Sequence, residues 1–260
     1  MMRQEPNLHA IIRRKIDIPM PEIVAYDFTR SQIDRDYLLM AALPGTPLSD
    51  AKSIGPQARA RTLHQVGEYL QSLHQLTAEE ELGRSTYGYL GEHAPMEPQP
   101  TWVDAFGVMW NALLDDVVAC GSYTETEAQR FRNLFSQYRA LFDRPVSPRL
   151  LHMDVWSQNI LVDEHSNVTG LVDFDRALWG DVEIEFAVLD YCGISEPPFW
   201  RGYGQPRDNS PEARIRQRFY LLYEIQKYMP IRIWRGGSRD GAERYKRASF
   251  ALASELQMRL

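Results

Sequence analysis

Apolar residues recur at three- and four-residue spacing through most of the chain, which predicts a largely helical protein. Residues 1–14 read as a first helix, with Pro6 suited to a first turn and Leu8, Ile11 and Ile12 at helical spacing. Residues 56–76 carry a stripe of Leu63, Val66, Leu70 and Leu73. Residues 102–119 place Trp102, Phe106, Trp110, Leu113 and Val117 along one side. Thr124 and Glu127 form a capping-box pattern that opens a third long helix. That helix has a broad face from Phe131 to Phe142 and stops at Asp143-Arg144-Pro145. Aromatic stripes of this kind are read as core. Further helices are expected over 182–191, over 211–228 with Ile215, Phe219, Leu222 and Tyr223 inward, and over 240–260 beyond the Gly236-Gly237 break.

Strand patterns are few and short. Residues 23–26 and 37–40 read as a strand pair around a polar turn, and 160–162 and 170–172 as a hairpin around Glu164–Asn167. Residues 82–100, rich in Gly, Pro and Tyr, read as a long loop, either a plain connector or a segment that shapes substrate choice. Residues 176–180 and 202–208 also read as loops, the latter a flexible one. The hairpin puts Asn159 and Asp173 at its two open ends, close in space, with Asp154 on the loop leading in.

Composition narrows the options. A chain of 260 residues with 44% hydrophobic and 25% charged residues is ordinary globular protein of one or two domains. The formal charge of −6, from 29 basic and 35 acidic residues, argues against a general nucleic-acid binder. No apolar run is long enough for a membrane span, and the basic N-terminus lacks the apolar core of a secretory signal. Cys120 and Cys192 have no metal-ligand spacing, read as packing thiols, and fit a reducing cytoplasm. There is no zinc spacing, Walker lysine motif or repeat period. His64 and His74 read as packed or hydrogen-bonded residues. Nothing in the chain speaks to oligomeric state.

The candidate chemistry lies between Leu150 and Asp175. Taken singly, a His-x-Asp pair is turn chemistry and Asp173 a strand-end cap. Jointly, His152-x-Asp154-x-x-x-x-Asn159, followed after a hairpin by Asp173, supplies hard oxygen ligands for Mg²⁺ and a carboxylate for an acceptor hydroxyl. These residues, with Ile160-Leu161-Val162 and Val172-Asp173-Phe174-Asp175, resemble the aminoglycoside phosphotransferase and choline kinase-like family. Gly180-Asp181-x-x-x-Glu185-Phe186-Ala187 is similar to that family's Gly-Asp-Pro-x-x-Asp-Leu-Ala segment, with Val182 for Pro and Glu185 for Asp.

The resemblance implies an α+β, mostly helical fold: a protein-kinase-like large lobe over 44–260 and a truncated small lobe over 1–43. It implies ATP and Mg²⁺ as cofactors and phosphorylation of a small-molecule hydroxyl, on an aminoglycoside-like or other amino or sugar alcohol. Asp154 becomes the base or hydroxyl-orienting group, Asn159 and Asp173 the metal ligands, and the backbone at Ala41 and Leu43 the adenine edge. His152 becomes an organiser of the loop, Asp181 its brace from behind, and Asp175 either an aid to the metal or a cap of the loop. Glu5 stands where the family has a helix glutamate that pairs with a strand lysine; its other reading is an exposed first-turn carboxylate. Asp181, Glu183, Glu185, Asp190 and Glu196 form an acidic run, either a pocket wall for a cationic acceptor or a solvated helix face. The sequence as given has no Gly-x-Gly near its start and no lysine before Lys15. The alternative expectation is therefore a truncated, non-catalytic relative that binds a ligand or partner without transfer.

Overall fold

The computed structural model describes residues 2–51, 54–90 and 96–258. A single 3-10 turn leads into α1 (Glu5–Lys15), which buries Leu8 and Ile12. β1 (Ile23–Asp27) and β2 (Tyr37–Met40) form an antiparallel hairpin. β3 (Thr46–Pro47) follows, then α2 (Pro56–Leu73), whose stripe of Leu63, Val66, Leu70 and Leu73 is fully buried. A short α3 (Ala78–Leu82) and β4 (Gly88–Tyr89) precede two long helices. α4 (Trp102–Ala119) is N-capped by Thr101, and α5 (Glu125–Tyr138) opens with both hydrogen bonds of the Thr124/Glu127 capping box.

The central part of the chain is strand-rich: β5 (Arg149–Leu151), β6 (Ile160–Val162), β7 (Val168–Leu171) and β8 (Leu178–Gly180). Helices α6 (Val182–Tyr191), α7 (Pro197–Tyr203), α8 (Pro211–Gln226), α9 (Tyr228–Trp234) and α10 (Arg239–Gln257) complete it. Two three-stranded antiparallel sheets, ordered β3-β6-β7 and β4-β8-β5, flank the loop between β5 and β6. Antiparallel pairing on both sides ties that loop's two ends into separate sheets. No helix among the described residues is long and apolar enough to cross a membrane.

Two hydrophobic clusters lie on either side of α6. One is aromatic and belongs to α4, α5, α8 and α10, with the Phe106 ring 5.0 Å from Tyr220 and 5.3 Å from Phe142. The other is mostly aliphatic and joins α1 and α2 to the β6–β7 hairpin and α7. Val182 and Cys192, at the two ends of α6, pack against both.

The mostly helical α+β expectation holds, and the helix over 102–119 has the expected bounds. The loop expected over 82–100 contains β4, and residues 91–95 of it lie outside the described residues. The loop expected over 176–180 contains β8, the middle strand of its sheet. These strands are two and three residues long, too short for alternation to register. Gly202 lies in α7, not in a flexible loop. A Cβ there would run into the His64 carbonyl, and one on Gly67 would run into the Phe199 carbonyl. The two glycines let α2 and α7 cross backbone against backbone, so this pair marks a helix crossing where glycine usually signals a loop.

Candidate active site

The loop from His152 to Asn159 leaves β5 through a strained turn. Met153 adopts φ 66°, a left-handed conformation that costs a non-glycine residue energy and persists only when its surroundings impose it. The restraint comes from behind. Glu185 of α6, fully buried, accepts hydrogen bonds from the backbone N–H groups of His152 (3.0 Å) and Met153 (2.8 Å). His74, just past the C-terminus of α2, reaches the same carboxylate at 2.9 Å through Nε2, and its Nδ1 lies 2.9 Å from the Tyr203 hydroxyl at the end of α7. The α2/α7 crossing thus sets the two outer members of this network. Burial alone would push the Glu185 carboxyl up. The His74 hydrogen bond and charge, with the backbone donors, outweigh it and hold the group below its ordinary value.

His152 is buried, accepts from the Asp154 N–H at Nδ1 (3.3 Å) and packs its ring on Phe174 with centroids 4.2 Å apart. These contacts tie it to the loop and to Phe174. Asp154 faces forward. The Asn159 side-chain amide donates to the Asp154 carbonyl (2.9 Å) and carboxylate (3.2 Å), and Arg176 Nη1 lies 3.4 Å from Asp154 Oδ1. The Val172 N–H donates to the Asn159 carbonyl (3.1 Å), closing the mouth of the hairpin. Asp173 follows immediately at φ 67°, exposed, next to the fully buried Phe174. Asp154, Asn159 and Asp173 therefore converge, as the hairpin geometry predicts.

The front of the site is crowded with negative charge. The Asp173 carboxyl is raised to about 6, first by desolvation at the mouth and then by the charges of Asp175 and Asp154. Asp175 is also raised, by burial first, with Arg176 opposing and Glu5 adding to the rise. Glu5 is buried, not exposed as one expectation had it. Among the described residues, its one ion-pair partner is His9 at 3.7 Å, and its Oε2 has no hydrogen bond.

This donor set suits Mg²⁺. The Asn159 amide nitrogen is committed to Asp154, which leaves its oxygen for a cation, and Asp173 adds a carboxylate in a field that disfavours its uncompensated charge. No group of three or more His, Cys, Asp or Glu side chains among the described residues forms a cage for a metal. A cation that retains water and takes its remaining ligands from phosphate needs no such cage.

Asp181 stands elsewhere. It is buried, N-caps α6 through the Glu183 N–H (3.2 Å), and accepts from Arg144 (2.6 Å) and the Tyr220 hydroxyl (3.1 Å). The hydrogen bonds that brace the loop from His152 to Asn159 come from Glu185. The acidic run divides: Asp181, Glu183 and Glu185 are buried, with Glu183 paired to Arg216 at 2.8 Å on both oxygens, while Asp190 and Glu196 stand at the surface, paired with Arg207 and Arg59. Between β2 and β3, the Ala41 N–H donates to the Glu22 carbonyl (2.8 Å), leaving the Ala41 carbonyl, while the backbone of Leu43 has no hydrogen bond among the described residues.

Several residues at the site carry no earlier assignment: Tyr203, Arg176, the exposed Trp156 of the loop, and a buried pair on the C-terminal helices, Glu224 and Lys227, while His74 is hydrogen-bonded as its reading had it. One signal in the sequence pointed at the rear network. Val182–Leu189 is almost entirely apolar apart from Glu183 and Glu185, and carboxylates in a helix buried on all sides have to be paired.

Residues 2–219 match the family model described as "Phosphotransferase enzyme family". A probable ketoamine kinase of Vibrio parahaemolyticus is 26% identical over 221 residues, covering 84% of this chain and 70% of the relative. One from Vibrio cholerae is 25% identical over 221 residues, covering 83% and 69%. Among solved structures, a candidate fructosamine-3-kinase of Haemophilus somnus superposes with a TM-score of 0.70 at 19% identity, over 98% of this chain and 79% of that one. A thermostable mutant of an aminoglycoside phosphotransferase, in ternary complex with AMP-PNP and hygromycin B, gives 0.64 at 18% identity, over 94% and 80%. At these identities the structures establish a shared fold.

Proposed function

The chain belongs to the phosphotransferase enzyme family, and from that premise we propose that it transfers the γ-phosphoryl group of ATP to a hydroxyl of a small polyhydroxylated amine, a ketoamine in the first instance. The single observation that carries this reading is the convergence of Asp154, Asn159 and Asp173 at the mouth of the β6–β7 hairpin. The names of the curated relatives support a ketoamine acceptor.

In this reading the acceptor hydroxyl meets the Asp154 carboxylate, which orients it and takes its proton as the oxygen bonds to the γ-phosphorus and the bond to the leaving ADP breaks. Asn159 holds Asp154 through two hydrogen bonds and turns its amide oxygen to the cation. Asn159 and Asp173 would hold Mg²⁺, which would supply neutralisation of the phosphate charge when bound. The carbonyl of Ala41 and the free backbone of Leu43 offer an acceptor and a donor to the adenine edge. Most of the rate enhancement comes from positioning and charge compensation, because phosphoryl transfer asks little covalent chemistry of the protein.

Calorimetry of Mg²⁺-ATP binding to the purified chain, with Asp173→Ala as control, tests the nucleotide half. Binding that depends on Asp173 is expected; binding indifferent to it removes the metal assignment. ADP release with fructosamine acceptors tests the other half, and its absence across such a panel removes the ketoamine reading.

A further inference from the structure

The charged side chains on the acceptor side of Asp154 divide by access. Glu224 and Lys227 form an ion pair at 2.6 Å and are sealed, with side chains 2% and 7% exposed. The Tyr228 hydroxyl closes on Glu224 at 3.3 Å. Arg176, which follows the Asp173-Phe174-Asp175 segment, differs. Its side chain is 21% exposed, close to the 22% of Asp154, and its only hydrogen bond among the described residues is the long one to that carboxylate. Among the described residues the remaining guanidinium donors are uncommitted, beside the carboxylate that an acceptor has to meet.

Two observations place this cation on the acceptor side rather than among the phosphates. The electrostatic neighbours of Arg176 are Tyr89, Glu224, Asp154 and Tyr223, which puts its head against α8. After desolvation, the charges that act on the Asp173 carboxyl are those of Asp175, Asp154, His152 and Glu5. Asp154 is the neighbour that Arg176 and Asp173 share, and it lies 3.4 Å from the guanidinium. The acidic residues that could have welcomed an ammonium group downstream are each paired with an arginine, a histidine or Lys227.

We infer that Arg176 selects acceptors that carry a carboxylate close to the hydroxyl to be phosphorylated, so that the preferred ketoamine is the adduct of a sugar with a free α-amino acid. The inference rests on the phosphotransferase reading above. A planar guanidinium matches a carboxylate through two parallel hydrogen bonds, and its partial burial strengthens them. An acceptor with only a cationic group at that end meets a fixed like charge. Charge-assisted bonds of about 1.5–3 kcal/mol correspond to roughly tenfold to hundredfold discrimination.

The test compares N-(1-deoxyfructosyl)glycine with its carboxamide as acceptors, by ADP release with Mg²⁺-ATP. The wild-type chain is expected to favour the carboxylate by about tenfold to hundredfold in kcat/KM, mainly through KM. In Arg176→Gln the ratio falls to near one, and Arg176→Lys retains part of it. A wild-type ratio near one overturns the inference, and that arm stands even if the variants do not fold. A ratio that survives in Arg176→Gln also overturns it. If kcat falls alike for both acceptors with the ratio intact, the guanidinium serves the phosphoryl group instead. If neither acceptor releases ADP while Mg²⁺-ATP still binds, the ketoamine reading falls and the inference with it. Transfer to both acceptors alike leaves the ketoamine reading standing without the inference.

Discussion

Behind the loop from His152 to Asn159, Glu185 accepts from two backbone N–H groups and from His74, and Tyr203 closes the chain of contacts. In front of it, Asp154, Asp173, Asp175 and Glu5 share one small region, and the Asp173 carboxyl is pushed up to about 6. The rear is a saturated network of buried groups, whose low dielectric makes each hydrogen bond count. The front holds charges that the protein alone does not balance. The difference teaches how the strained Met153 turn and the crowded carboxylates persist: the rear fixes the backbone on which the front carboxylates stand.

The comparison breaks most sharply if a front residue proves structural. Asp154→Ala is expected to lower turnover by about 10²–10⁴-fold, the range of a positioned acid or base. Mg²⁺-nucleotide binding should survive and the thermal midpoint should barely move. Steady-state kinetics with calorimetry and a melting curve decide it. A variant that melts early would make Asp154 a support of the loop.

The rear should behave in the opposite way. His74→Ala leaves the buried Glu185 carboxylate without its side-chain hydrogen-bond partner, and a hydrogen bond to a charged group is worth about 1.5–3 kcal/mol. Turnover should fall with the loosened loop, and His74→Gln, which keeps a donor, should recover part of both. Glu185 adds a pH signature. Its folded value lies below the ordinary 4.5, so its contribution is present above 4.5 and is lost as pH falls from there through the lower folded value. The wild-type midpoint should drop across that window more than that of Glu185→Gln. Parallel pH profiles for the two proteins would show that Glu185 carries no net stabilising charge.

Gly202→Ala probes how that rear network is positioned. The added methyl meets the His64 carbonyl at the α2/α7 crossing, and overpacking of this kind costs about 1–3 kcal/mol. Tyr203 lies one residue further on, so the shift should also move its hydroxyl from His74. Chemical denaturation reads the first effect. Loss of any further effect from Tyr203→Phe in the Gly202→Ala background reads the second.

Front and rear were not equally legible in the sequence. Asp154, Asn159 and Asp173 stand at fixed offsets around a recognisable hairpin, so their convergence could be read from spacing. The helical stripes were equally plain, because they repeat over several turns. The rear was harder. Asp181 and Glu185 both sit in a family-like segment, and nothing in the spacing says that Asp181 caps the helix while Glu185 turns toward the loop. His74 is 111 residues from Glu185, and only the α2/α7 crossing brings them together. That crossing depends on two glycines, one in an apolar helix and one that read as a loop. Arg176 followed a motif whose polar members were already assigned, and its exposure relative to Glu224 and Lys227 is a property of packing alone.

The smallest effect expected is also the most informative about the front. The raised Asp173 carboxyl means that its charge is opposed by the fold: its contribution is favourable below the ordinary value of 3.8 and is lost as pH rises through about 6. Asp173→Asn removes that charge and keeps a residue type that tolerates the left-handed φ. At neutral pH without metal, the variant should melt higher than the wild type, by about 1–3 °C, a small gain because the exposed carboxylate is screened by water. Mg²⁺ with nucleotide should reverse the order, since it compensates the wild-type charge and finds a poorer ligand in the variant. A variant that melts lower than the wild type both with and without Mg²⁺-nucleotide would mean that the front is stabilised by its own hydrogen bonds, and front and rear would then be built alike.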